Sequence, residues 1–213
     1  MSKTRNRDES REPGRRRLDP AKRRALIEKA ATKVFAERGY EAATMQEIAH
    51  DAGVVASVIY DYYRSKQELY VALLEQHGRA LIGQTIRVPE NSDLRTELHD
   101  RINDFLRAIE SNPFVWRLIF RDPPGASEVG AAHARVQADA SGAIAAVLAT
   151  EALGNRSQSA RSGSVATAVI AEMIKSSLNG LAAWWWENRE TAREELASIA
   201  TALLCDGLAR FRG

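Results

Sequence analysis

The stretch Thr44–Tyr63, TMQEIAHDAGVVASVIYDYY, leaves a chain few ways to fold. Thr44 and Glu47 have capping-box spacing: the Thr hydroxyl can accept from the backbone N–H three residues on, and the Glu carboxylate can reach back. Ile48, Ala49 and Ala52 follow at helical spacing. Gly53 then stands where a helix stop favours positive φ. Val54 is the apolar residue of the turn, and a second short helix is predicted from Val55 to Tyr62, with Val58, Ile59 and Tyr62 on one side. A helix, a Gly-containing turn and a second helix form a helix-turn-helix signature. Taken alone, the pattern also describes an ordinary helical hairpin.

The flanks narrow the choice. Upstream, Leu26, Ile27, Ala30, Ala31, Val34 and Phe35 make an amphipathic stripe that ends at Gly39 and Tyr40. Downstream, Ser65-Lys66-Gln67-Glu68 is a second capping box, before Leu69, Leu73 and Leu74. Together, residues 21–74 resemble the DNA-binding domain of the tetracycline-repressor (TetR) family of bacterial regulators. The matching residues are Ala31, Phe35, Gly39, Tyr40, Thr44, Ile48, Ala49, Ala52, Gly53, Val54, Tyr60, Tyr62, Tyr63, Lys66 and Leu69. The resemblance covers about a quarter of the chain; the rest matches only in length and helical character.

The departures fall on the surface that would meet DNA. Family members usually carry Ser, Lys and Gly where this chain has Val55, Ala56 and Ser57, and a basic residue is common at the place of Asp61. Val55 cannot cap the second helix, and Asp61 repels phosphate. The candidate DNA-binding residues are Thr44 at a helix start, where free N–H groups bind anions; Val55, Ala56, Ser57 and Tyr60 on the recognition helix; and Lys66 at the next helix start. Ser57 can hydrogen-bond a base edge or phosphate and Ala56 can touch a thymine methyl. The resemblance implies a phosphate contact for Tyr60. Packing is the reading for Tyr62.

Charge is lopsided. Residues 1–24 hold ten Lys or Arg against four Asp or Glu, a net of +6, so the other 189 residues sum to −4. Residues 1–19 are polar and lack aromatics, the composition of a segment that cannot build a core. They read as a disordered basic arm, with Arg15, Arg16 and Arg17 near the DNA backbone or minor groove, or alternatively as a solubilising tail. There is one cysteine, Cys205, so no intramolecular disulfide or cysteine zinc site can form. The N-terminus lacks the apolar run of a signal peptide and no segment approaches 18 apolar residues, so a cytoplasmic protein with no membrane partner is expected.

Residues 81–213 read as further helices, without sustained alternation. A ligand cavity would be lined by Phe105, Trp116, Phe120, Met173 and Trp184, with Glu172, Asn179, Arg117, Arg121 or His133 as polar contacts, although aromatics at such spacing equally describe a packed core. The last two helices look like an association surface. Val169, Met173, Ser176, Gly180, Leu196 and Leu203 are its expected interface residues. Trp184, Trp185 and Trp186 span too much of a helix to face one core, so at least one should meet a partner, a pocket or the rim. The resemblance implies a homodimer on a palindromic site.

No P-loop, GxGxxG, HExxH or GxSxG occurs, and the four histidines show no metal-ligand spacing. The expectation is an all-α chain without enzymatic activity, metal or cofactor. Residues 1–19 form the arm, 20–80 the helix-turn-helix domain (motif about 43–62) and 81–213 the ligand-binding and dimerisation domain. The expected function is a repressor that leaves double-stranded operator DNA when a small hydrophobic effector binds. The alternative is a helical ligand-binding or protein-interaction module with weakened DNA binding, motivated by Val55, Ala56 and Asp61.

Overall fold

The structure is a computed structural model that describes residues 19–85, 93–120, 127–154 and 163–209. Among the described residues there are nine helices and no strand: α1 (Pro20–Ala42), α2 (Met45–Ala52), α3 (Ala56–Tyr60), α4 (Lys66–Thr85), α5 (Leu94–Ser111), α6 (Pro113–Phe120), α7 (Glu128–Gly154), α8 (Gly163–Glu187) and α9 (Arg193–Ala209).

Local chemistry accounts for the first helices. Asp19 caps α1, its carboxylate accepting from the Ala21 N–H at 3.1 Å, with Pro20 in the first turn where no N–H is needed. Gly39, at φ 80°, interrupts α1 before its last turn. The Thr44–Glu47 capping box forms in both directions: Glu47 N–H donates to Thr44 Oγ1 at 3.2 Å and Thr44 N–H to Glu47 Oε2 at 3.0 Å. Gly53 stops α2 in the left-handed region, at φ 67° and ψ 32°. The recognition helix α3 is shorter than the expected 55–62. Val55 supplies no side-chain cap, and the N–H groups of Tyr62 and Tyr63 both return to the Ile59 carbonyl at 3.0 Å, closing the helix in a turn.

Two apolar clusters hold the helices. The first gathers Ile27, Phe35, Ile48, Ile59, Leu69, Leu73 and Leu74 from α1–α4. Each such side chain contributes about 1.5–3 kcal/mol by burial. This cluster does not end at residue 80. Leu118 and Ile119 of α6, and Val129, Ala132 and Val136 of α7, belong to it. The α4–α7 approach is close enough that a Cβ on Gly78 would lie 2.6 Å from Val136 Cγ1. The second cluster comprises Ile102, Phe105, Leu106, Ile109, Trp116, Ala182, Trp185, Leu196, Ala197 and Ala200, from α5, α6, α8 and α9. Helix α6 therefore serves both clusters, one face toward α1 and the other toward the bundle.

Candidate nucleic-acid interface and effector domain

Helix α3 is anchored by Ile59, which is fully buried, with Val58, Tyr62 and Tyr63 packed around it. That register leaves Val55, Ser57, Tyr60 (51% exposed) and Asp61 outward. Ala56 differs from expectation: it is half-buried against the first cluster rather than fully presented.

Two expected phosphate contacts are occupied from within. The Thr44 hydroxyl accepts from Glu47 N–H and donates to Glu47 Oε2 at 3.0 Å, so a carboxylate already sits at the start of α2. The Thr44 hydroxyl and N–H hold that carboxyl below its ordinary range, and Arg38 pairs with it at 3.2 Å. The Lys66 ammonium donates to the carbonyls of Tyr40 (2.8 Å), Ala43 (3.0 Å) and Glu41 (3.2 Å), and lies 4.5 Å from the Tyr40 ring centroid. All three of its donors are used, so Lys66 caps the end of α1 instead of offering free charge to phosphate. Lys66→Ala is expected to cost about 1–2 kcal/mol of stability, as charge-assisted bonds to half-buried carbonyls are lost. A urea melt measures that loss, and the salt dependence of DNA binding should stay unchanged. Arg64, exposed directly after α3 and without an ion pair among the described residues, is a basic residue absent from the expected set. Lys66, two residues on, is the more conspicuous cation in the sequence.

Arg15, Arg16 and Arg17 lie outside the described residues. The place where their segment joins the fold is described. Tyr62, just after α3, donates its hydroxyl to the Pro20 carbonyl at 3.2 Å. Tyr63 donates to Glu28 at 2.5 Å and accepts from Arg24 Nε at 3.2 Å. Burial, then the Glu28 carboxylate, pushes the Tyr63 hydroxyl up to about 12, so it stays a donor. The start of α1 is thereby fixed beside the C-terminal end of the recognition helix.

The expected effector residues do not form one lining. Phe105 and Trp116 are buried in the second cluster with Phe120 packed on it, the Trp116 and Phe120 rings 6.2 Å apart. Met173 (64% exposed) and Trp184 (48% exposed) face outward from α8. The reason is register: α8 turns Ala171, Ile174, Ala182 and Trp185 inward, and Met173 and Trp184 each stand one residue, some 100°, away. Glu172 is also outside. It accepts from Ser141 Oγ (2.7 Å) and Lys175 Nζ (2.9 Å), clasping α7 to α8, and Lys175 holds its carboxyl below the ordinary range. Asn179 is half-buried, and Arg121 lies outside the described residues.

Of the expected interface residues, Val169, Met173, Ser176, Gly180 and Leu203 (72% exposed) are on the outer faces of α8 and α9. A Cβ on Gly180 would meet nothing within 4 Å. Leu196 is a correction. It is 4% exposed, inside the second cluster, because α9 turns Leu196, Ala197, Ala200 and Thr201 inward and Ile199 and Leu203 outward. Val165 and Ile199 extend the exposed face beyond the expected interface residues. The three tryptophans point three ways. Trp185 is buried and donates to the Thr191 carbonyl at 2.9 Å, Trp186 is half-buried, and Trp184 is outside.

His133 is a seam residue, not a pocket contact. It is buried between α4 and α7, its Nε2 2.8 Å from the Tyr70 hydroxyl. His77 of α4 meets Thr32 of α1 in the same way, Nε2 to Oγ1 at 3.0 Å. Burial lowers both imidazoles below their ordinary value of 6.5. As pH falls through about 6.5, the unfolded chain takes up protons that the folded chain refuses, so stability is full above that pH and declines below it. The melting temperature should drop between pH 7.5 and 5.5, and His133→Gln should flatten part of that slope.

Residues 27–73 match the family described as bacterial regulatory proteins, tetR family, and residues 84–212 match the tetracyclin repressor-like C-terminal domain. The HTH-type transcriptional activator FasR of Mycolicibacterium smegmatis is 37% identical over 127 residues, 58% of this chain and 57% of that protein, so the match spans a little over half of the relative's length. A TetR-like transcriptional regulator from a Rhodococcus species shares the fold, with TM-score 0.70 and 22% identity over 91% of this chain and 99% of that one. So does the transcriptional regulator FadR of Bacillus subtilis in complex with stearoyl-CoA, with TM-score 0.69 and 18% identity over 85% of this chain and 97% of that one. Among the described residues, no helix is long and apolar enough to cross a membrane.

Proposed function

The chain belongs to the tetR family of bacterial regulatory proteins, and on that premise we propose that it is a dimeric cytoplasmic repressor released from palindromic operator DNA by a small apolar effector. The stearoyl-CoA held by the FadR of Bacillus subtilis makes long fatty acyl compounds the first effector class to consider. Residues 1–19 are the arm, 20–80 carry the helix-turn-helix, and 81–213 take up effector and partner. Ser57 and Tyr60 meet the DNA, with Val55 and Ala56 packing at the groove wall. Arg64 and Arg15–Arg17 supply the cations that α3 lacks.

The observation that carries this reading is α6. Trp116 stands in the bundle core while Leu118 and Ile119, two and three residues on, stand in the core beneath the helix-turn-helix. A ligand that displaces Trp116 turns the eight-residue α6 and moves the support of α1. Two recognition helices must sit about 34–36 Å apart to enter successive major grooves. An effector that favours another spacing shifts the population away from the binding form, with a coupling on the order of 1–3 kcal/mol.

A second reading, activation rather than repression, is favoured by the name of the FasR relative. It uses the same coupling with opposite sign.

The test is an anisotropy titration of the full chain against DNA from its own upstream region at two salt concentrations, beside a variant lacking residues 1–18. Salt-dependent, sequence-preferring binding is expected. Losing three arginine contacts should reduce the salt slope by about 2–3, since each phosphate contact contributes roughly 0.9. Absence of such binding at low salt overturns the proposal in favour of a helical module that does not bind DNA.

A further inference from the structure

The recognition element carries none of the side chains that read purines in the major groove. Guanine is read by Arg or Lys donating to O6 and N7, and adenine by Asn or Gln bonding to N6 and N7. The run VVASVIYDYY, residues 54–63, contains no Arg, Lys, Asn or Gln. Neighbouring cations do not supply them at the leading end of α3. The Lys66 ammonium is taken up by the carbonyls that end α1, and Arg64 comes after the C-terminal end of α3. In a helix-turn-helix the N-terminal residues of the second helix meet base edges, while the first helix crosses the backbone. Here that leading residue is Val55. It has extended backbone angles (φ −89°, ψ 150°), makes no side-chain bond to the helix it starts, and is 65% exposed. A Ser or Asp at this place would accept from an N–H of the first turn, so Val forgoes a cap and holds two methyl groups in water instead. The apolar group that a base edge offers in the major groove is the C5-methyl of thymine.

We propose that Val55 determines operator specificity by packing on a thymine methyl in each half-site, so that the chain selects its site through thymines and not through the N7 acceptors of guanine and adenine. Ser57 and Tyr60, exposed farther along α3, present hydroxyls. A hydroxyl both donates and accepts, so it anchors the helix without choosing sharply among bases. Asp61, exposed at the end of α3, brings a negative charge and no donor for a purine N7. The proposal rests on the reading of the chain as a dimeric DNA-binding regulator.

Base analogues test it on the full chain. The duplex is the site that footprinting protects in the chain's own upstream region. It is made in natural form, with deoxyuridine for every thymidine, and with 7-deazaguanine and 7-deazaadenine for the purines. Deoxyuridine removes the methyl and keeps every hydrogen-bonding group of the base, whereas the 7-deaza bases remove N7 and keep the methyls. Burying one methyl raises affinity about three- to fourfold, so one contact in each of two half-sites amounts to about tenfold. The natural duplex should therefore bind about tenfold more tightly than the deoxyuridine duplex, and the 7-deaza duplex should stay within about twofold of the natural one. Deoxyuridine also alters duplex flexibility, and Val55→Ala separates that effect from contact. The side chain is exposed, so the variant keeps its fold, which a thermal melt verifies. Its deoxyuridine penalty should fall below about threefold, because part of the apolar contact is gone. Equal binding of the natural and deoxyuridine duplexes, a penalty undiminished in Val55→Ala, or a larger loss with the 7-deaza bases than with deoxyuridine overturns the thymine contact and leaves the regulator reading standing. A chain that binds no upstream duplex at low salt overturns both.

Discussion

Leu203→Glu is expected to leave each chain folded, to convert the protein from dimer to monomer, and to weaken binding to a palindromic operator at least a hundredfold. The side chain is 72% exposed, so the charge does not disturb the chain's own core. It stands on α9 four residues from Ile199, which is also exposed, and Val165, Val169, Met173 and Trp184 of α8 are exposed as well. Large apolar side chains exposed in this number mark an association surface. In a two-fold interface every substitution appears twice, so two carboxylates would be desolvated at once. Losing one central contact costs about 2–4 kcal/mol in a protein interface, and two recognition helices no longer tied together lose their shared affinity for paired half-sites. Sedimentation and operator anisotropy on the same preparation measure both effects. A variant that stays dimeric removes the outer face of α8 and α9 from the dimer.

Ile119→Ala is expected to lower stability by about 2–5 kcal/mol, the range for truncating a buried Ile. Ile119 is 2% exposed and belongs to the cluster that supports the helix-turn-helix, although it lies well outside that motif in sequence. At this chain length a loss of that size lowers the melting temperature by roughly 5–15 °C. Coupling through α6 has a second consequence. With the Ile119 contact to the first cluster gone, a ligand can move Trp116 without moving α1. The variant should keep its effector affinity to within a few-fold while its DNA affinity responds less to effector. Calorimetry gives the first quantity, and operator binding with and without palmitoyl-CoA gives the second. A stability change under 1 kcal/mol would contradict the burial of Ile119 against α1.

Features that depend on neighbours along the chain are legible in the amino-acid sequence. The Thr44–Glu47 box, the Gly53 stop and the amphipathic run Ile27–Phe35 are local chemistry, and the helices form where that chemistry places them. Features set by tertiary contact are not legible in this way. Lys66 looks like a phosphate ligand until the carbonyls of Tyr40, Glu41 and Ala43 are seen to take all three of its protons. Met173 and Trp184 lie on a stripe with Val169, Ser176 and Gly180 that faces outward throughout, and hydrophobic spacing cannot tell the inside of a helix from a face reserved for a partner. Leu196 misleads for the mirror-image reason: it reads like Leu203, yet α9 turns it into the core. The double allegiance of α6 also leaves no trace, since PFVWRLIF is apolar nearly all round and says only that it is buried. The split between Trp116 and Ile119 depends on which helices flank it.

The most direct test is reciprocal linkage on one sample. Palmitoyl-CoA is titrated into the full chain alone and into the chain saturated with its upstream DNA, and the DNA is titrated with and without palmitoyl-CoA. Effector-gated DNA binding requires that each ligand change the other's affinity by one common factor, between about 5- and 150-fold, as a shared two-state coupling dictates. A repressor shows that factor as mutual weakening, an activator as mutual strengthening. Two ligands that bind the same chain with affinities indifferent to each other would contradict it.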